Sequence, residues 1–136
     1  MRVLAVDYGE RRTGIAVSDE LGMTAQGMET LVVSSEDDLL VKLAAVAQTT
    51  QAETIVLGLP LNMDGTESEK SLKVRAFGER LAGHTGRKVV FWDERMTTAQ
   101  AQRVMREMSV KTRGRKGQID RIAATLILQE FLKTIP

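Results

Sequence analysis

No cysteine occurs among the 136 residues, so disulfides, thiolate nucleophiles and Cys-ligated zinc are excluded. A single histidine, His84, removes His-rich metal sites and most Ser-His or Cys-His arrangements, because the usual neutral-pH base would have to be that one residue. No apolar run approaches the ~20 residues that a membrane-spanning helix needs. The N-terminal run from Met1 to Val6 meets Asp7 too soon to be the hydrophobic region of a signal peptide. Together with the missing cysteine, this predicts a cytoplasmic protein with no membrane partner. There is no repeat and no linker composition, and 43% hydrophobic residues at this length predict one domain over residues 1–136, with a core that needs no staple. Any chemistry falls to carboxylates.

The charges nearly cancel, 19 basic against 18 acidic, but the sum hides their distribution. Residues 1–102 hold 11 basic and 15 acidic side chains, whereas residues 103–121 hold seven cations against Glu107 and Asp120. The chain is polarised, with a cationic stretch near its C-terminal end.

Hydrophobic periodicity supplies the elements. Arg2 to Asp7 and Thr13 to Ser18 are short apolar runs separated by a polar turn between Gly9 and Gly14, which reads as a hairpin. A third strand is expected around Glu29 to Val33. Ser34 or Ser35 then caps a helix with Glu36, Asp37 and Asp38 in its first turn and Leu39, Leu40, Leu43, Val46 and Ala47 as its apolar stripe. Thr54 to Leu59 is a continuous apolar strand of the kind covered on both faces, stopped by Pro60. A helix follows over Glu67 to Ala82, with Leu72 or Val74, Phe77 and Leu81 inward and Gly83 at its end. Lys88 to Trp92 is the fifth strand. Thr97 or Thr98 caps a helix bearing Ala101, Val104, Met105 and Met108, Ser109 to Gly117 is a basic surface loop, and an apolar helix runs from about Gln118 to Lys133. Strands first, then strands alternating with helices, predict an α/β fold with a mixed sheet, three antiparallel strands continued by two parallel ones, and helices on both faces.

Asp7 closes an apolar strand, where a charge is costly unless it is paired or bound to a metal. Asp93 and Glu94 end the fifth strand, and alternation lets only one of them share a face with Asp7. Asp120 sits at the start of the last helix, beside the cationic loop. Carboxyl ends of parallel strands gather at one edge, where ligands bind. Carboxylates converging there at about 4 to 6 Å repel one another, and an oxygen-ligated Mg²⁺ or Mn²⁺ relieves that repulsion. Two such ions about 3.5 to 4 Å apart can activate water and stabilise the leaving oxygen in phosphodiester hydrolysis. The basic loop would hold phosphates by charge. Each residue also has a plainer reading: Asp7 as a turn residue, Asp120 as a partner of the helix dipole, Asp93 and Glu94 as a solvated strand end or a pair with Arg95, the cations as an exposed loop, His84 as a surface turn residue, and Phe91 and Trp92 as packing.

Four blocks carry a resemblance: Val6-Asp7-Tyr8-Gly9 with Arg12 to Ala16, Val56 to Thr66, Trp92 to Thr98, and Ile119 to Ala124 with Leu126 to Gln129. In order and spacing they resemble the YqgF/RuvX family of ribonuclease H-like nucleases from end to end of the chain. The resemblance implies a ribonuclease H-like fold and a metal-dependent nuclease using Mg²⁺ or Mn²⁺, with its acidic positions on Asp7, Glu94 and Asp120. It implies maturation of the 5′ end of pre-16S ribosomal RNA as the role, or resolution of Holliday junctions in branched DNA, whose two paired incisions require a homodimer with two equivalent sites. Arg11, Arg12, Arg113, Arg115 and Lys116 are the expected nucleic-acid contacts. The chain departs from RuvC-type resolvases in two places: the fourth strand, Ile55 to Leu59, carries no glutamate, and the last helix has Ala123 and Ala124 where a second aspartate would stand. A non-catalytic RNA-binding assembly factor is the contrasting expectation. A nucleotide cofactor is not expected: the Asp-x-Gly turn resembles that of actin-like kinases, but they use two such domains, and no Gly-x-x-x-x-Gly-Lys-Ser/Thr loop is present.

Overall fold

A computed structural model of the protein describes residues 1–96, 103, 107 and 116–135. The expected helix after Thr97 and Thr98 and most of the basic loop, including Arg113 and Arg115, lie outside the described residues, as does the side chain of Lys116.

Strand β1 (Val3–Asp7) turns back into β2 (Arg12–Ser18), and the two pair antiparallel with Asp7 opposite Gly14. The turn closes tightly at Gly9, where a Cβ would sit 2.0 Å from the Arg12 carbonyl oxygen. Ahead of the expected third strand, β3 (Ala25–Gly27) pairs with Ala16 to Ser18, and of the expected Glu29 to Val33 only β4 (Leu31–Val32) is strand, pairing with Arg12 and Thr13. The segment follows β2 until the Met28 N–H donates to the Ile15 carbonyl at 3.0 Å. Met28 then turns into the core, which takes the next two residues off the ladder. Strand β5 (Thr54–Leu59), buried at all six positions, pairs parallel with β1 on one side and with β6 (Lys88–Asp93) on the other. The sheet order is β3-β2-β1-β5-β6, with β4 beside β2.

Helix α1 (Glu36–Thr50) is capped by Ser35, whose side chain accepts from the Asp38 N–H. Helix α2 (Glu69–Thr85) begins in a reciprocal Ser68/Ser71 capping box and ends at Gly86 with φ +68°. It runs through Gly83, the expected stop, because the left-handed cap falls on the later glycine; His84 is therefore helical. Val74, not Leu72, takes the inward position, Leu72 being 57% exposed. Helix α3 (Lys116–Leu132) starts two residues before the expected boundary, which places Asp120 beyond its first turn.

Alternation sorts the sheet into two faces. Leu4, Val6, Ile55 and Leu57 point towards α1 and α2, joining Leu39, Leu43, Phe77 and Leu81. Val3, Ala5 and Val56 point the other way, towards Ala124, Ile127 and Leu128 of α3, with Trp92 and Phe131 at the margin. Each fully buried aliphatic contributes roughly 1.5–3 kcal/mol. The parallel pair β1/β5 is thereby sealed on both sides, and its carboxyl ends open at one edge.

Candidate active site

Asp7 is the last residue of β1, on the α3 face with Val3 and Ala5. Burial, and next the Glu94 carboxylate, push its carboxyl up to about 7. Asp120 adds a smaller push in the same direction, and Lys70 of α2 opposes it. Among the described residues no hydrogen-bond donor reaches the Asp7 carboxylate. Glu94 opens a single 3-10 turn (Glu94–Met96) directly after β6. Its carboxyl is also raised, chiefly by burial, with Lys70 pulling against the shift.

Gly58 explains how Glu94 reaches this position. A Cβ on Gly58 would fall 2.5 Å from Glu94 Oε1 and 2.7 Å from Ile127 Cδ1, so the bare backbone of β5 leaves the space that the Glu94 carboxylate fills. Glu94 thus lies on the α3 face, the face of Asp7. Asp93 belongs to a different set of contacts. Its carboxylate accepts from the Arg95 backbone N–H at 2.9 Å and from the Arg95 guanidinium at 2.8 Å, and those bonds hold its carboxyl below the ordinary aspartate value. The Arg95 pairing weighed for both acids holds for Asp93.

Gly14 does for Asp120 what Gly58 does for Glu94. A Cβ there would lie 2.0 Å from the Asp120 carbonyl oxygen, so α3 rests directly on β2 at the residue opposite Asp7. The Asp120 side chain, however, is engaged by Arg12, whose Nε donates to Oδ2 at 3.3 Å. Among the described residues no three acidic or histidine groups stand together as a clasp for one ion. Asp7 and Glu94 converge, and Asp120 lies beside them with its carboxylate on an arginine.

Of the expected phosphate contacts, Arg12 is therefore paired with an acid. Arg11 is exposed and lines a cleft of about 700 Å³ with Tyr8, Gly9, Lys70 and Lys73. Lys70 is the neighbour of the site that no sequence pattern marked. It lies on an exposed helical position with no strand-end or motif signal, and only the packing of α2 against β5 and β6 makes it a neighbour of both Asp7 and Glu94. Gly58 could have been found, as a glycine inside a strand marks a close approach.

The carboxylates suit a hard divalent cation: all donors are oxygen, and Asp7 is held partly protonated by burial and by like charges that a cation would neutralise. Among the described residues no helix is long and apolar enough to cross a membrane.

The family model described as "RuvX: Holliday junction resolvase" matches residues 1–134. The chain belongs to the RuvX family. A Syntrophus aciditrophicus protein named "Putative pre-16S rRNA nuclease" is 43% identical over 135 residues, covering 99% of this chain and 90% of its own length. A Koribacter versatilis protein of the same name is 45% identical over 134 residues, covering 97% of this chain and 86% of its own. Among solved structures, Thermus thermophilus RuvC in complex with a Holliday junction substrate superposes with a TM-score of 0.62 at 15% identity, covering 98% of this RuvX chain and 95% of RuvC. The fowlpox virus Holliday junction resolvase gives 0.57 at 14% identity, covering 99% and 100%. At such identity the likeness is one of fold: this RuvX chain has the mixed α/β, ribonuclease H-like fold of the RuvC-type resolvases.

Proposed function

We propose that this RuvX protein is a divalent-metal-dependent nuclease that hydrolyses phosphodiester bonds at the 5′ end of precursor 16S ribosomal RNA. The observation that carries the reading is the convergence of Asp7 and Glu94 at the carboxyl edge of the sheet, with Asp7 pushed up to about 7 by burial and by its acidic neighbour. Structural acids are paired, as Asp93 is with Arg95; Asp7 has no such ion pair among the described residues, and Lys70 offsets only part of the push from burial and Glu94. The choice of substrate is supported by relatives at 43% and 45% identity that carry the name "Putative pre-16S rRNA nuclease".

Asp7 and Glu94 would hold Mg²⁺ or Mn²⁺, with Asp120 as a third ligand. Such a cation, when bound, supplies Lewis acidity to a phosphoryl oxygen and activates water. Near neutral pH, Asp7 is divided between its protonated and ionised forms, so loading the site displaces a proton from its carboxyl. Ile127, itself buried, packs against Gly58 beside Glu94. Arg11, Arg12, Arg113, Arg115 and Lys116 are proposed to hold the phosphates.

The test is cleavage of a 5′-extended 16S precursor fragment with Mn²⁺ or Mg²⁺, comparing native protein with Asp7→Asn. Cleavage is expected to fall by at least about 100-fold, the scale of losing a transition-state stabilising group. An Asp7→Asn protein with a native circular dichroism spectrum that still cuts at the native rate would refute the assignment. The fold likeness to RuvC favours a second reading, incision of branched DNA, which requires a dimer with two equivalent sites. Preferential cutting of a four-way junction in the same assay would support it, and RNA binding with no turnover under any metal would point to an assembly factor.

A further inference from the structure

The Arg12–Asp120 pair stands where a phosphate-binding cation and a metal-binding acid are both needed. Asp120 is anchored to the site by its backbone, since its carbonyl lies over Gly14, the residue opposite Asp7 in the hairpin. Its carboxylate is nonetheless on the Arg12 Nε at 3.3 Å. Both side chains are partly exposed, 41% for Arg12 and 26% for Asp120, so neither is locked by packing. Each group has a second partner available in the working complex. A phosphodiester matches the guanidinium better than a lone carboxylate oxygen does, and a divalent ion beside Asp7 attracts the carboxylate.

We infer that Arg12 is a positioning residue that holds Asp120 off the metal site until a nucleic-acid phosphate takes its place, so that phosphate binding and metal binding each favour the other. This rests on the metal-dependent nuclease reading. The coupling is reciprocal by linkage: whatever removes Arg12 from Asp120 strengthens the metal site, and whatever removes Asp120 from Arg12 strengthens phosphate binding. An RuvX protein built this way keeps its third acidic ligand in reserve and completes the site only on substrate.

Double-mutant cycles test the pair without relying on turnover. Mn²⁺ affinity, read from the free-ion electron paramagnetic resonance signal, is measured for native protein, Arg12→Gln, Asp120→Asn and the double variant. Arg12→Gln is expected to tighten Mn²⁺ binding by about two- to fivefold, the scale of a partly exposed ion pair, and this gain is expected to vanish in the Asp120→Asn background. In the reciprocal arm, binding of a fluorescein-labelled 12-nucleotide RNA is measured by anisotropy in EDTA. Asp120→Asn is expected to tighten it by a similar factor, and that gain is expected to vanish in the Arg12→Gln background. Gains that persist when the partner is already deleted reflect bulk charge alone and overturn the inference, as does the absence of either gain. Failure of the nuclease reading is distinct, because Mn²⁺ affinity would then be indifferent to Asp7→Asn. Circular dichroism on each variant confirms that the exposed substitutions leave the fold in place.

Discussion

Asp7 ties the fold's stability to the site's chemistry. Its carboxyl is raised from 3.8 to about 7 in the folded chain, so between those values the native state holds a proton that the unfolded state has released. Stability from this group is therefore greatest below about pH 4 and is lost as pH rises through 7. At ~1.36 kcal/mol per unit, the cost of ionising Asp7 reaches at most about 4 kcal/mol. The metal-free protein is expected to gain thermal stability between pH 6 and 8 when Asp7 is replaced by Asn, read as a rise in Tm. Mn²⁺ is expected to raise the Tm of the native chain but not of Asp7→Asn. Lys70 acts oppositely, drawing both Asp7 and Glu94 towards ionisation. Lys70→Met is expected to push Asp7 further up and shift the acid limb of the cleavage pH profile to higher pH. A profile indifferent to Lys70 would mean that the lysine is merely a surface charge.

At the scale of elements, the site depends on glycines that let one segment lie on another. Gly14→Ala and Gly58→Ala add the same methyl group but should differ in kind. At Gly14 the new atom meets the Asp120 carbonyl oxygen at 2.0 Å and its carbon at 2.6 Å, so α3 as a whole must move. At Gly58 it meets the ends of two side chains, Glu94 and Ile127, which can swing aside. Gly14→Ala is expected to cost the larger part of the ~1–3 kcal/mol typical of overpacking, whereas Gly58→Ala is expected to spare most of the stability and weaken Mn²⁺ binding by displacing Glu94. Urea denaturation and metal titration of the two variants separate these outcomes; equal losses of stability would contradict the distinction. Legibility in the sequence follows the same division. The hairpin, the buried β5, the Ser35 cap and the helices on both faces follow from local pattern, since each is stated by consecutive residues. The split edge strand was not legible, because Ala25 to Gly27 and Leu31 to Val32 are too short to show a period and are held by β2. The preference for Glu94 over Asp93 rested on family resemblance, and the space left at Gly58 now gives it a steric reason. The pairing of Asp120 with Arg12, 108 residues apart, and the approach of Lys70 depend on tertiary docking that no window of sequence contains.

For the molecule as a whole, a net charge of +1 gives no general attraction to nucleic acid. Residues 1–102, which carry Asp7 and Glu94, are net acidic, and an acidic centre repels the phosphate it is meant to meet. The densest source of attraction is the seven cations between residues 103 and 121, which the sequence places ahead of and within the first part of α3, the helix that brings Asp120 to the site. One element would then deliver both the phosphates and an acid. Neutralising Arg113, Arg115 and Lys116 to Gln should weaken RNA binding across sequences and flatten its dependence on salt. Each lost contact to a single strand removes about 0.7 from the slope of log affinity against log salt concentration, so the triple variant should lose about 2. Anisotropy titrations between 50 and 300 mM KCl in EDTA measure this directly, with Arg12 left in place. An unchanged slope would move the backbone contacts away from the cationic stretch and onto the cleft of Arg11, Lys70 and Lys73. The phosphate would then approach the acids from the α2 side of the sheet edge, where Lys70 already offsets their charge.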